Sequence, residues 1–200
     1  MKIITFETEE EWIEARRGKI TGTKLKGIVL RRTTAPKIGF YELIAERLAS
    51  APGMERPVDR GLELEGEAVE KFAEETKKKV DTSLVMWVRE DVESIAVSPD
   101  GVIGKTEAVE VKCLSSANHI QAYLTQKVPA EYEMQITQYF IVNDELQKLY
   151  LVFYDPRLMV KQLFYLTVKR KDIKEEIEEY LEYEKKTIEE VNKIVNELSF

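Results

Sequence analysis

The chain has 200 residues, 44% of them hydrophobic and 34% charged, which suits one soluble domain spanning 1-200 with a core of its own. Its formal net charge of −7 argues mildly against a nucleic-acid partner. One cysteine, Cys113, excludes a disulfide framework and a four-cysteine metal site, and one histidine, His119, removes serine and cysteine triads and histidine-rich zinc sites.

Any hydrolysis would therefore have to run on carboxylates, lysine and a hard cation. The charge is also unevenly placed. From Arg16 to Lys37 stand Arg16, Arg17, Lys19, Lys24, Lys26, Arg31, Arg32 and Lys37 with no acid among them, whereas from Lys171 onward ten acids face five lysines. A basic patch on an acidic body is compatible with nucleic acid after all. No stretch approaches the roughly 18 apolar residues of a membrane helix. The opening MKIITFETEEEW turns acidic at once, so the expected compartment is cytosolic.

In chain order, Thr8 to Glu11 fits a capping box and opens a helix to about Arg17, where Gly18 breaks it. Thr21 or Thr23 caps the next helix, through about Leu30. The stretch RRTTAPK reads as a polar loop, residues 38–50 as a third helix, and APGMERPVD as a turn-rich connection. Residues 60–79 have helical periodicity, with Leu64, Ala68, Val69, Phe72 and Ala73 on one side. The period then changes. SLVMWV, SIAVS, GVIG and EAVEVKC read as short strands of a meander. Residues 116–126 and 130–142 read as helices, KLYLVFYD and QLFYLTVKR as strands around the turn Asp155-Pro156-Arg157, and the tail from Asp172 as one long amphipathic helix lying outside. The order implies an α/β or α+β class with a mixed sheet.

The carboxylates decide where chemistry could sit. Glu65 alone reads as a solvated helix position, and Asp100 in Pro-Asp-Gly as a β-turn residue. Glu110-Val-Lys112 is sharper. Strand side chains alternate, so Val109 and Val111 share one face while Glu110 and Lys112 share the other. On an edge strand both could point to water; on a central strand a buried carboxylate and ammonium need partners. Asp100 and Glu110 on adjacent strands bring two carboxylates and one amine to one point. That donor set suits Mg²⁺ or Mn²⁺ with a backbone carbonyl and waters. Lys112 would steady the attacking water or the charge developing on a phosphate.

Asp100 followed by Glu-x-Lys resembles the PD-(D/E)xK nuclease core. More narrowly, the ordered set RRGKITGT, RGLELEGEAVEKF, SPDGVIG, VEVKC, EYEMQITQY and YDPR resembles the lambda exonuclease family of YqaJ-like recombination nucleases, over nearly the whole chain. The resemblance implies a restriction-endonuclease-like core, a central mixed β-sheet flanked by helices, within a single nuclease domain. It implies 5′-to-3′ digestion of linear double-stranded DNA that leaves 3′ overhangs for strand-annealing recombination. It also implies dependence on Mg²⁺ (Mn²⁺ substituting) with two ions per site, a homotrimeric ring, a single-strand annealing partner, no membrane, and a phage or prophage origin in a bacterial cytoplasm. By the same match the acidic and catalytic positions are Glu65, Asp100, Glu110, Lys112 and Gln135. The metal would be held by Asp100, Glu110 and the carbonyl of Val111, and the DNA 5′-phosphate by Arg16 and Thr23. The family often has Ser or Ala where Thr23 and Gly22 stand; Thr keeps the hydroxyl. A PD-(D/E)xK endonuclease, a RecB-like repair nuclease and a non-catalytic DNA-binding subunit remain as alternatives. His119 reads as a surface or packing residue, Cys113 as a small core residue beside the site, and Trp12, Trp87, Tyr132 and Tyr139 as packing.

Overall fold

The computed structural model describes residues 1–29, 40, 60–114, 116–158 and 161–199. The expected polar loop, the third helix apart from Phe40, and the turn-rich connection lie outside these residues, as do Arg31, Arg32 and Lys37 of the basic run. In chain order come β1 (Lys2–Thr5), α1 (Glu9–Ala15), α2 (Gly22–Ile28), α3 (Arg60–Thr76), β2 (Val85–Val88), β3 (Ala96–Val97), β4 (Gly101–Ile103) and β5 (Glu107–Lys112). There follow α4 (Ser116–Thr125), α5 (Glu133–Val142), β6 (Lys148–Tyr154), β7 (Leu163–Lys169), a 3₁₀ turn (Arg170–Asp172) and α6 (Lys174–Leu198). The class is α+β.

The strands divide between two sheets. One is antiparallel in the order β1-β2-β3; the other has the order β4-β5-β6-β7 and is mixed, with β5 and β6 parallel and its outer pairs antiparallel. The expected single meander is therefore broken between β3 and β4. Parallel neighbours need a long crossover, and α4 with α5 supplies it between β5 and β6. β1 was not anticipated: its exposed KIIT has no apolar-polar alternation, and its pairing with β2 makes it a strand.

Helices cover both faces of the mixed sheet. Ala68, Val69 and Phe72 of α3 pack on Val109, Val111, Tyr150, Val152 and Tyr154. The opposite set, Ala108, Leu149, Leu151 and Phe153, packs with Ile136, Phe140 and Ile141 of α5. Each large apolar side chain buried this way contributes about 1.5–3 kcal/mol. β5 is thus central and covered on both faces, so Glu110, on its α5 side, is buried. Tail helix α6 packs against α5 and buries Ile177, Tyr180, Ile188 and Val191 together with Glu184 and Thr187. It is the expected amphipathic outer helix, its acids exposed except Glu184, and its buried face makes it a layer of the fold. No helix among the described residues is long and apolar enough to cross a membrane.

Candidate active site

Asp100 ends the turn into β4, and its backbone N–H donates to the Val109 carbonyl at 3.1 Å, which fixes it beside β5. Its Oδ2 accepts from the Val111 N–H at 2.7 Å. By the register of β4 and β5, Glu110 lies opposite Asp100, on the face of β5 beneath α5. There Lys112 Nζ donates to its Oε1 at 2.6 Å, Gln135 Nε2 donates to the same oxygen, and the Tyr139 hydroxyl meets Oε2. Gln135 and Tyr139 are four residues apart on α5, hence on one helix face. The Tyr139 hydroxyl also lies 3.0 Å from the Ser98 carbonyl. Nζ of Lys112 stands 5.0 Å from the centre of the Tyr132 ring.

The electrostatics show a surplus of negative charge. Burial, then the charges of Glu110 and Glu65, hold the Asp100 carboxyl well above the usual carboxylate range, against the Val111 N–H and Lys112. Burial alone would lower the ammonium of Lys112; the charge and hydrogen bond of Glu110, with Asp100 and Glu65, outweigh it and leave the group raised. Burial with Glu65 and Asp100 pushes the Cys113 thiol up to about 11. The Tyr139 phenol, raised well above its ordinary value by burial and Glu110, stays protonated and so can donate. Asp100, Glu110, Val111, Lys112 and Gln135 are brought together. Glu65, half-buried on α3, acts on Asp100, Lys112 and Cys113 through its charge.

Among the described residues no group of three or more His, Cys, Asp or Glu closes on one point. Two carboxylates and a main-chain carbonyl instead suit a cation that keeps much of its own water, as Mg²⁺ does. The uncompensated charge around Asp100 fits the same group.

Arg16 caps the C-terminus of α1. Its guanidinium lies 4.3 Å over the Trp12 ring, and its charge reaches Tyr139. Trp12 Nε1 donates to Ser98 Oγ at 3.1 Å, tying α1 to the segment before Asp100. Thr23, in the first turn of α2, has its hydroxyl 3.4 Å from that of Thr21. Next to it, a Cβ added at Gly22 would stand 2.9 Å from Cγ of Gln135, so this helix start rests on the side chain that holds Glu110.

Residues 11–145 match the model of the YqaJ-like viral recombinase domain. The chain belongs to the YqaJ-like viral recombinase family. Among solved structures it is similar to an alkaline exonuclease, LHK-Exo, from Laribacter hongkongensis, at TM-score 0.84 and 28% identity, covering 94% of this chain and 95% of that one. The structure of LHK-Exo in complex with dAMP matches at TM-score 0.79 and 27% identity, over 94% and 97% of the two chains. A phage related exonuclease from Haemophilus somnus 129PT shares the fold at TM-score 0.62 and 14% identity, over 90% and 96%. No curated protein sequence matches significantly.

Within this YqaJ-like chain, sequence reading passed over Tyr139, which it assigned to packing, although its place four residues after Gln135 put it on the same helix face. It also passed over Ser98 and Trp12, whose contacts span 86 residues and carry no local signal. Trp87 is a packing residue, 2% exposed with its ring edge-on to Tyr139. His119 is buried, its Nε2 on the Lys161 carbonyl at 2.9 Å and its ring edge-on to Phe164, so the packing reading holds and the surface reading does not.

Proposed function

We propose that this chain is a metal-dependent DNA exonuclease that digests linear double-stranded DNA from 5′ to 3′ and leaves 3′ overhangs for recombination by strand annealing. The observation that carries the reading is the placement of Glu110 opposite Asp100, with Lys112, Gln135 and Tyr139 all on its oxygens. The family and the likeness to two exonuclease structures support it, and the dAMP-bound one supports a nucleoside monophosphate as product.

Gln135 and Tyr139 hold Glu110 in one orientation, so its carboxylate is preorganised before substrate arrives. Lys112, kept as a cation by its acidic neighbours, faces the space between the two strands and can donate to a phosphate oxygen as charge develops there. Asp100, Glu110 and the Val111 carbonyl would hold Mg²⁺, with Mn²⁺ as substitute and two ions per site, and the cation would supply Lewis acidity and a more acidic water. The Tyr132 ring, 5.0 Å from the Lys112 ammonium, adds a cation–π contact that helps to hold it in place.

Arg16 and Thr23 would hold the terminal 5′-phosphate. α2 is only seven residues long, so the arginine supplies most of the charge. Wild type should cut 5′-phosphorylated duplex faster than 5′-hydroxyl duplex, and Arg16→Ala should largely erase the difference. Equal rates in the wild type, or an undiminished preference in Arg16→Ala, would place the pocket elsewhere. The same reading includes a ring of three copies and a single-strand annealing protein as partner. Light scattering on the purified protein tests the first; a mass of one chain would refute it.

A further inference from the structure

Glu184 stands in the middle of α6 with no exposed surface, and Gln138, equally buried, faces it from α5. Neither carboxyl oxygen of Glu184 has a hydrogen-bond partner, and neither has Oε1 of Gln138. The other end of that amide is engaged: Nε2 donates to the Ile20 carbonyl at 3.3 Å. Three buried acceptor oxygens thus lack an aligned donor, although the Gln138 side chain lies close enough to act on Glu184 toward its charged form. Turning the amide over gives no relief, because Oε1 would then oppose the Ile20 carbonyl, acceptor against acceptor.

Arg89 is the charged group whose field reaches Glu184 from another element, and it is engaged elsewhere. Its Nε lies 2.6 Å from Asp91 Oδ1, though not aligned for a hydrogen bond, and one terminal nitrogen lies 3.1 Å from Asp144 and donates to the Ile141 carbonyl. One proton on Glu184 resolves the arrangement. Its O–H can donate to Oε1 of Gln138 while Nε2 keeps Ile20.

We propose that Glu184 is a neutral carboxylic acid whose O–H donates to Gln138 Oε1, and that this positioning residue clamps α6, α5 and the Ile20–Thr23 segment into one unit. Burial outweighs the opposing pull of the Gln138 side chain and Arg89 and holds the Glu184 carboxyl well above its ordinary range, in agreement with this. Ile20 is gripped from the other side too, by Ser94 and Ala96 at 2.7 and 3.0 Å, so the amide closes a ring of bonds around the residue before the Thr21–Thr23 turn. Gln138 also precedes Tyr139 directly. The clamp thus sits behind both the phosphate contact and the Glu110 contact. Its functional half rests on the reading of Thr23 as a 5′-phosphate ligand.

The test compares the wild type with Glu184→Gln and Glu184→Leu in full-length protein. The native state keeps its Glu184 proton while the unfolded chain releases its own above about pH 4.3, so this group makes wild-type stability fall as pH rises. The amide of Glu184→Gln donates at every pH. Its Tm advantage over the wild type, in metal-free buffer, should widen from about pH 5 to about pH 9. A gap that stays flat or narrows would mean an ionised carboxylate held by Arg89, and would overturn the proposal. Glu184→Leu fills the space but leaves the amide loose. It should lose about fivefold or more of the rate preference for 5′-phosphorylated over 5′-hydroxyl duplex, which Glu184→Gln should keep, since about 1 kcal/mol of misplacement suffices. An undiminished preference in folded Glu184→Leu would overturn the clamp. A wild type with no preference refutes the phosphate pocket instead, and the pH comparison then decides the clamp by itself.

Discussion

At the level of single side chains, the site is a problem of surplus charge. Asp100, Glu110 and Glu65 share one ammonium, and burial makes the imbalance expensive at Asp100. Because the folded Asp100 holds its proton more tightly than the unfolded chain does, metal-free stability falls as pH rises above about 4 toward its folded value. Asp100→Asn keeps an oxygen for the Val111 N–H and removes that loss. The variant should melt above the wild type in chelator, by a margin that grows with pH, and should be inactive. Added Mg²⁺ should raise the Tm of the wild type and leave that of Asp100→Asn unmoved. A Mg²⁺-induced rise of equal size in both would remove Asp100 from the ligand set. Lys112→Ala acts on the opposite charge. It should fold and bind DNA, yet lose roughly a hundredfold or more in turnover, the usual size for a preorganised electrostatic group. Near-wild-type cleavage by the folded variant would refute its role.

Strands and helices explain why those side chains converge. β5 lies between an antiparallel and a parallel neighbour, so both of its faces are covered and the Glu110 side has to be satisfied by α5. The end of β5 is pinned by the turn after β6. Asp155, itself buried, accepts from the N–H and Nε of Arg157 at 3.1 and 2.6 Å, while a terminal nitrogen of Arg157 donates to the Leu114 carbonyl at 2.8 Å. Arg157→Ala should lower kcat up to about tenfold and lower Tm as well, since it takes the guanidinium from the buried Asp155 carboxylate. Hydrogen exchange near Leu114 should speed up; unchanged exchange and unchanged kcat would free the turn of this duty. Much of this was legible in the sequence. Alternation in EAVEVKC gave the two faces, the Pro-Asp-Gly turn gave Asp100, and the period of 60–79 gave α3. What escaped was set by long-range pairing: β1, whose partner is β2, the break of the meander into two sheets, and Tyr139, whose hydroxyl has meaning only once Glu110 lies beneath it.

For the molecule as a whole, the two helical layers divide the labour. α3 closes one face of the mixed sheet with apolar packing, whereas α5 closes the other and carries Gln135, Gln138 and Tyr139 toward Glu110 and Ile20. α1 joins through Trp12 and Ser98, which ties the helix that ends at Arg16 to the segment before Asp100. A substrate end held at Arg16 and Thr23 would then present its first phosphodiester to Asp100 and Glu110. On the proposed reading, such a geometry would require a free end, and an end of one polarity. The most direct test is digestion of a linear duplex labelled at either the 5′ or the 3′ end, with Mg²⁺ and with chelator, beside a closed circular duplex. With Mg²⁺, the 5′ label should be released first as a mononucleotide, the 3′ label should remain on a long single strand, and the circle should survive; with chelator nothing should be cut. Cleavage of the closed circle, or first release of the 3′ label, would contradict the assignment.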